Sequence, residues 1–125
     1  MSDVKCAIGL MSGTSMDGID VAILRTDGDG VVEHGPSDYY PYDKILRAKW
    51  QKALVTAKQI KERSERPDDL GEAEEALTLC HAAAVKSFLA KHHLTPSDID
   101  VIGFHGQTVL HRPDEALTVQ IGDGA

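Results

Sequence analysis

Cysteine is nearly missing from this chain of 125 residues: only Cys6 and Cys80 occur. Two cysteines so far apart, with no C-x-x-C spacing, make neither a disulfide framework nor a zinc site. Each falls on an apolar pattern and reads as a small core residue, and a reducing cytoplasm is the simplest compartment. Aromatic residues are scarce at 5%. No apolar run approaches the roughly 20 residues that cross a bilayer, so no membrane segment is expected. Met1-Ser2-Asp3-Val4-Lys5 leads directly into a strand-like run, without a signal-peptide pattern. Basic charge is short as well. Thirteen Lys and Arg against 20 Asp and Glu leave a formal charge of −7, which disfavours a nucleic acid or an acidic membrane surface as partner. His34, His81, His92, His93, His105 and His111 show no spacing that gathers several on one face as metal ligands. Internal repeats and low-complexity linkers are lacking too. What remains, with 42% hydrophobic residues, suits one domain with a real core.

The most informative stretch runs from Ile8 to Ile23, where two apolar, strand-like runs flank Ser12-Gly13-Thr14-Ser15-Met16-Asp17-Gly18. No Lys or Arg lies between Lys5 and Arg25. A turn of small residues exposes backbone N–H groups, adds hydroxyls, and lets Gly13 and Gly18 bring the backbone close to a ligand. Such a turn holds a polyphosphate without a basic side chain. An ordinary β-hairpin with a polar loop has the same local composition, and the composition does not choose between them.

Along the chain, Val4 to Met11 and Ile19 to Thr26 read as paired strands. A turn at Asp27-Gly28-Asp29-Gly30 leads to a third strand through Tyr39, Tyr40 and Tyr42, interrupted at Gly35-Pro36. Helical periodicity starts near Asp43. Leu46, Trp50, Ala53, Leu54, Ala57 and Ile60 form one apolar stripe, and Lys58, Lys61 and Arg63 are expected late in that helix, against its dipole. Asp69, with Glu72 three residues on, predicts a capping box for a second helix bearing Leu70, Ala73, Leu77, Cys80, Ala84 and Phe88. Thr95-Pro96-Ser97-Asp98 reads as one capped turn, Val101 to Phe104 as a short strand, and 109–111 with 117–121 as a hairpin. A helical crossover returns the Val101 strand parallel to the first. The fold class expected is therefore α/β: a three-stranded antiparallel meander, two helices, then a parallel strand and a hairpin. That order is the opening of a ribonuclease-H-like lobe, and it would bring the Ser12–Gly18 turn and His105–Thr108 to one edge of the sheet.

The segment from Met11 to Val21 resembles the N-terminal signature of the 1,6-anhydro-N-acetylmuramic acid kinase family. Ile102-Gly103-Phe104-His105-Gly106-Gln107-Thr108-Val109-Leu110-His111 resembles that family's Gly-x-His-Gly-Gln-Thr segment, and Thr118-Val119-Gln120-Ile121-Gly122-Asp123 fits a third block. Three ordered blocks at compatible spacing are far more specific than any one. The family belongs to the sugar kinase, heat-shock chaperone and actin superfamily, whose two lobes enclose an ATP cleft. The resemblance implies an ATP- and Mg²⁺-dependent phosphorylation of O6 of the anhydro sugar, with water opening the 1,6-anhydro bridge, in recycling of peptidoglycan. It implies that residues 1–125 are the N-terminal part of the first lobe, with the general-base Asp and the rest of both lobes beyond Ala125. A homodimer is compatible with it.

By this resemblance the ATP phosphate loop is Gly13, Thr14, Ser15, Met16, Asp17, Gly18, Ile19 and Asp20, with Gly13, Thr14 and Ser15 as the β- and γ-phosphate contacts. His105, Gln107 and Thr108 are the candidate sugar contacts, since neutral donors and acceptors suit hydroxyl and acetamide groups; they equally suit a buried polar loop. Many superfamily members carry an Asp just before this loop, where Leu10, Met11 and Ser12 stand here. The Mg²⁺ ligands are therefore unassigned, with Asp20 the one candidate and Asp17 read as bonding its own turn. Asp123 either caps a loop or faces the cleft, and His111 reads as structural. A non-catalytic ATP-binding module of the same fold is the alternative. A nuclease of this topology would need a carboxylate on the first strand, and Lys5 to Met11 contains none.

Overall fold

The computed structural model describes residues 4–12 and 16–122. A four-stranded sheet has the order β3-β2-β1-β4, with β1 Lys5–Ser12, β2 Gly18–Thr26, β3 Val32–Pro41 and β4 Val101–Phe104. β1 pairs antiparallel with β2, and β2 with β3, while β4 runs parallel to β1. The crossover holds helices α1 (Lys44–Ala57) and α2 (Leu70–Lys91). A separate hairpin, β5 Gln107–Arg112 and β6 Leu117–Ile121, follows. The meander, the parallel return and the closing hairpin are as the sequence predicts.

Register explains which face is buried. Ile8, Leu10 and Ser12 lie opposite Ile23, Val21 and Ile19, and all six are buried. Against this face pack Trp50, Ala53 and Ala57 of α1, and Leu70, Ala73, Leu77, Ala84 and Phe88 of α2. The opposite face carries Gly9, Met11, Asp20 and Ala22, all exposed. β3 is continuous through Gly35-Pro36, because the two residues sit as a bulge opposite Ile23. Proline is tolerated there because β3 is an edge strand.

Several local expectations give way to tertiary contacts. α1 ends at Ala57, so Lys58 is its C-cap and Lys61 and Arg63 lie beyond it. The Arg112 guanidinium donates to the Lys58 carbonyl at 2.8 Å, a partner from the distant hairpin for a helix-end oxygen. Asp69 makes no side-chain cap and pairs with Lys52 at 3.0 Å instead. Cys6 and Cys80 are only half-buried at the margin of the core, and His81 takes the fully buried position beside Cys80. The capped turn at Thr95 does form, with Asp98 accepting from the Thr95 N–H at 2.8 Å.

The end of α2 is tied to β3 by Asp38, which accepts from Lys91 at 2.7 Å and meets His92 Nε2 at 2.6 Å. The Lys91 hydrogen bond, then that of His92, holds the Asp38 carboxyl below its ordinary value of 3.8. An unfolded chain then binds this proton more readily, so the contribution is complete above about pH 4 and fades as pH falls through the lower, folded value. Asp38→Asn is expected to lower Tm slightly at pH 7, the pair being near the surface. The gap from the parent should close in thermal melts as pH falls through the lowered, folded value, because the parent carboxyl is then protonated as well.

Candidate functional site

Because β1 and β4 are parallel, with Leu10 opposite Phe104, their carboxyl ends reach the same edge. The β1–β2 turn and the His105–Thr108 segment therefore meet. The contact is direct: the Ser12 hydroxyl donates to Gln107 Oε1 across a separation of 95 residues. The Tyr42 hydroxyl donates in turn to Ser12 Oγ at 3.0 Å. Ser12, Gln107 and Tyr42 are 2%, 0% and 6% exposed, so this chain of hydrogen bonds is shielded from water. Burial pushes the Tyr42 hydroxyl up to about 12, and it remains a donor throughout the physiological range.

The stems of the turn are held closely. Met16 has φ of +58° and is buried. The Asp17 carbonyl accepts from the Tyr42 N–H at 2.8 Å, while the Asp17 carboxylate faces Arg47 at 3.5 Å. Met16 and Ile19 bury their side chains in the core, so what they offer a ligand is backbone. Gly13, Thr14 and Ser15, the central phosphate contacts expected from sequence, lie outside the described residues, as does Asp123. Asp20 projects from the outer face opposite Met11 and Tyr39. It lines a shallow depression of about 510 Å³ together with Gly9, Met11, Ala22, Gly103 and His105. Among the described residues no group of three or more His, Cys, Asp or Glu forms a metal-binding cluster.

The other sugar-contact candidates differ in setting. His105 is exposed, and its backbone N–H reaches the Leu10 carbonyl at 3.3 Å. Gln120 Nε2 lies 3.0 Å from the His105 carbonyl and 3.0 Å from His105 Nε2. Thr108 is partly buried and pairs with Gln120. Gly106, with φ of +76°, makes the sharp turn from His105 into β5; a Cβ there would collide with the Ile121 carbonyl oxygen. At the end of β6 the Gly122 N–H donates to Glu74 at 2.9 Å, and Arg66 steadies that carboxylate at 3.1 Å. Tyr42, Glu74 and Gln120 are the supporting residues that sequence reasoning missed. Of these only Tyr42 carries a local signal, standing between Pro41 and the helix cap Asp43.

The mixed four-stranded sheet, its helical crossover and the closing hairpin place this chain in the α/β class. The family model described as anhydro-N-acetylmuramic acid kinase matches residues 5–125, and the chain belongs to that family. A protein of Agrobacterium fabrum named anhydro-N-acetylmuramic acid kinase is 77% identical over 125 residues, covering 100% of this chain and 34% of the relative. Proteins of the same name from Rhizobium etli and Brucella canis are 58% and 59% identical, over 99% and 100% of this chain and 34% of each relative. The chain thus spans about a third of the length of the curated relatives it matches.

Proposed function

We propose that the whole protein to which this chain belongs transfers the γ-phosphoryl group of ATP to O6 of anhydro-N-acetylmuramic acid, with water opening the 1,6-anhydro bridge to give N-acetylmuramic acid 6-phosphate. In this reading residues 1–125 are the opening of the first, ribonuclease-H-like lobe of an actin-like two-lobe kinase acting in the cytoplasm, and the general base lies in the rest of the protein. The observation that carries the reading is the Ser12–Gln107 hydrogen bond. It joins the two segments that resemble family motifs at one edge of the sheet, which supports a shared site for nucleotide and sugar.

Each residue then has a part. Gly13, Thr14 and Ser15 contact the β- and γ-phosphates through backbone N–H and hydroxyl groups. Asp17 and Gly18 set the turn, and Met16 and Ile19 anchor it in the core. His105 and Thr108 face the sugar, and Gln107, buried between Ser12 and the Thr108 carbonyl, holds that segment in place. Phosphoryl transfer asks chiefly for alignment and charge stabilisation, which backbone N–H and hydroxyl groups supply. The donor set fits Mg²⁺ held mainly by phosphate oxygens and water, with Asp20 the carboxylate nearest the turn on β2. When bound, the ion neutralises phosphate charge. No helix among the described residues is long and apolar enough to cross a membrane. The partners in this reading are small molecules and, for the whole protein, a second copy.

The test is an assay of a protein of the relatives' full length that carries this chain, with ATP, Mg²⁺ and the anhydro sugar. Appearance of N-acetylmuramic acid 6-phosphate by mass spectrometry is expected, and none from the 125-residue chain alone. ATP binding without phosphorylation by the long form would favour a non-catalytic nucleotide-binding module.

A further inference from the structure

We propose that Tyr42 is a positioning residue for phosphoryl transfer, because this one residue grips both stems of the β1–β2 turn. The inference rests on the kinase reading above. At the near stem its hydroxyl donates to Ser12 Oγ at 3.0 Å; at the far stem its backbone N–H donates to the Asp17 carbonyl at 2.8 Å. Ser12 and Asp17, the two stems, are thus both bonded to a single amino acid.

The direction of the hydrogen bonds is determined as well. Gln107 Oε1 can only accept, so the Ser12 proton goes to it and the Tyr42 proton goes to Ser12. Gln107 Nε2, 3.3 Å from the Thr108 carbonyl, keeps the carboxamide in this sense. The phenol therefore sets the rotamer of Ser12, while the carboxamide in the second motif keeps its own hold on the Thr108 carbonyl. Tyr42 is itself well placed for this role. Pro41 limits the backbone before it, and Asp43 caps α1 after it by accepting from the Leu46 N–H at 2.8 Å. Its ring stands edge-on to Trp50 with centroids 5.4 Å apart. Ring and hydroxyl thus have separate duties, one in the core and one at the site.

Tyr42→Phe separates them, keeping the ring and deleting the proton donor. In the full-length protein assayed with ATP and the anhydro sugar, we expect kcat to fall about 10- to 100-fold, since small misplacements of reacting groups cost rate on this scale. KM for ATP should rise, KM for the sugar should stay within about twofold, and Tm should shift only slightly. Ser12→Ala should reproduce the split, and the double variant should be no worse than either single, as for links in one chain. A Tyr42→Phe protein with parental kcat and ATP KM would overturn the proposal. So would a loss of rate matched by an equal loss of folded protein in both single variants. If the parent protein itself fails to phosphorylate the sugar, the kinase reading falls and takes the proposal with it; an active parent with an unaffected Tyr42→Phe variant removes the proposal alone.

Discussion

Gly18→Val is expected to abolish turnover of the full-length protein and to destabilise its fold. A Cβ on Gly18 would lie 2.5 Å from the Tyr40 carbonyl oxygen, 2.7 Å from Pro41 Cα and 2.7 Å from the Tyr39 ring. Two of those three obstacles are backbone, so no side-chain rotation relieves the overlap. β3 must move away from β2 at Gly18 and Pro41, which are register partners. That is one residue from the point where Tyr42 takes the Asp17 carbonyl. Overpacking of this kind typically costs about 1–3 kcal/mol, and backbone obstruction belongs at the upper end. The functional loss should be larger than the loss of stability, because the displacement falls on the stem of the turn. Gly9→Ala is the control. Gly9 lies on β1, and a Cβ there would have no neighbour within 4 Å; a Tm near the parent's is expected. Thermal melts beside a coupled ATP-consumption assay give both readings, and a Gly18→Val protein with parental rate would remove the turn from the site.

Trp50→Ala should lower stability by about 3–5 kcal/mol, the usual range for deleting a large aromatic from a core. Trp50 is 1% exposed and lies in the cluster that joins α1 to the inner face of the sheet. It also backs the Tyr42 ring, so the cavity opens directly behind the residue that holds the turn. A loss of that size is a large fraction of the roughly 5–15 kcal/mol that a domain has to lose. Trp50→Phe should cost less, since most of the volume and an aromatic face remain. It also removes an indole N–H that has no hydrogen-bond partner among the described residues. Urea unfolding followed by circular dichroism measures both. A change below about 1 kcal/mol for Trp50→Ala would mean the helix–sheet contact contributes little.

Strand and helix order is readable from alternation and from steps of three and four, because both are local geometric consequences of backbone period. Trp50 shows this well: it stands on the apolar stripe of α1 and is buried there. Sequence and structure part where a distant residue supplies the partner. Arg112 donates to the carbonyl of Lys58, the C-cap of α1, where the pattern expects Lys58, Lys61 and Arg63 to complement the helix dipole. Lys52 draws Asp69 out of its cap. His81 occupies a buried position that polarity argues against, made tolerable by a 2.8 Å hydrogen bond to the Leu77 carbonyl and a ring contact with Phe104.

At the site, the motifs themselves are legible because glycine and hydroxyl residues cluster around short apolar runs, and their chemistry is a property of residue type. The amino-acid order alone therefore determined the α/β class, the sequence of elements and the segments that carry the polar motifs. Only the folded arrangement decided that Ser12, Tyr42 and Gln107 form one hydrogen-bonded chain. These residues are separated by 30 and 95 positions, and they meet because parallel pairing of β4 with β1 brings the ends of both strands to the same edge. Such a meeting depends on register and chain reversal over the whole lobe, which no local pattern encodes.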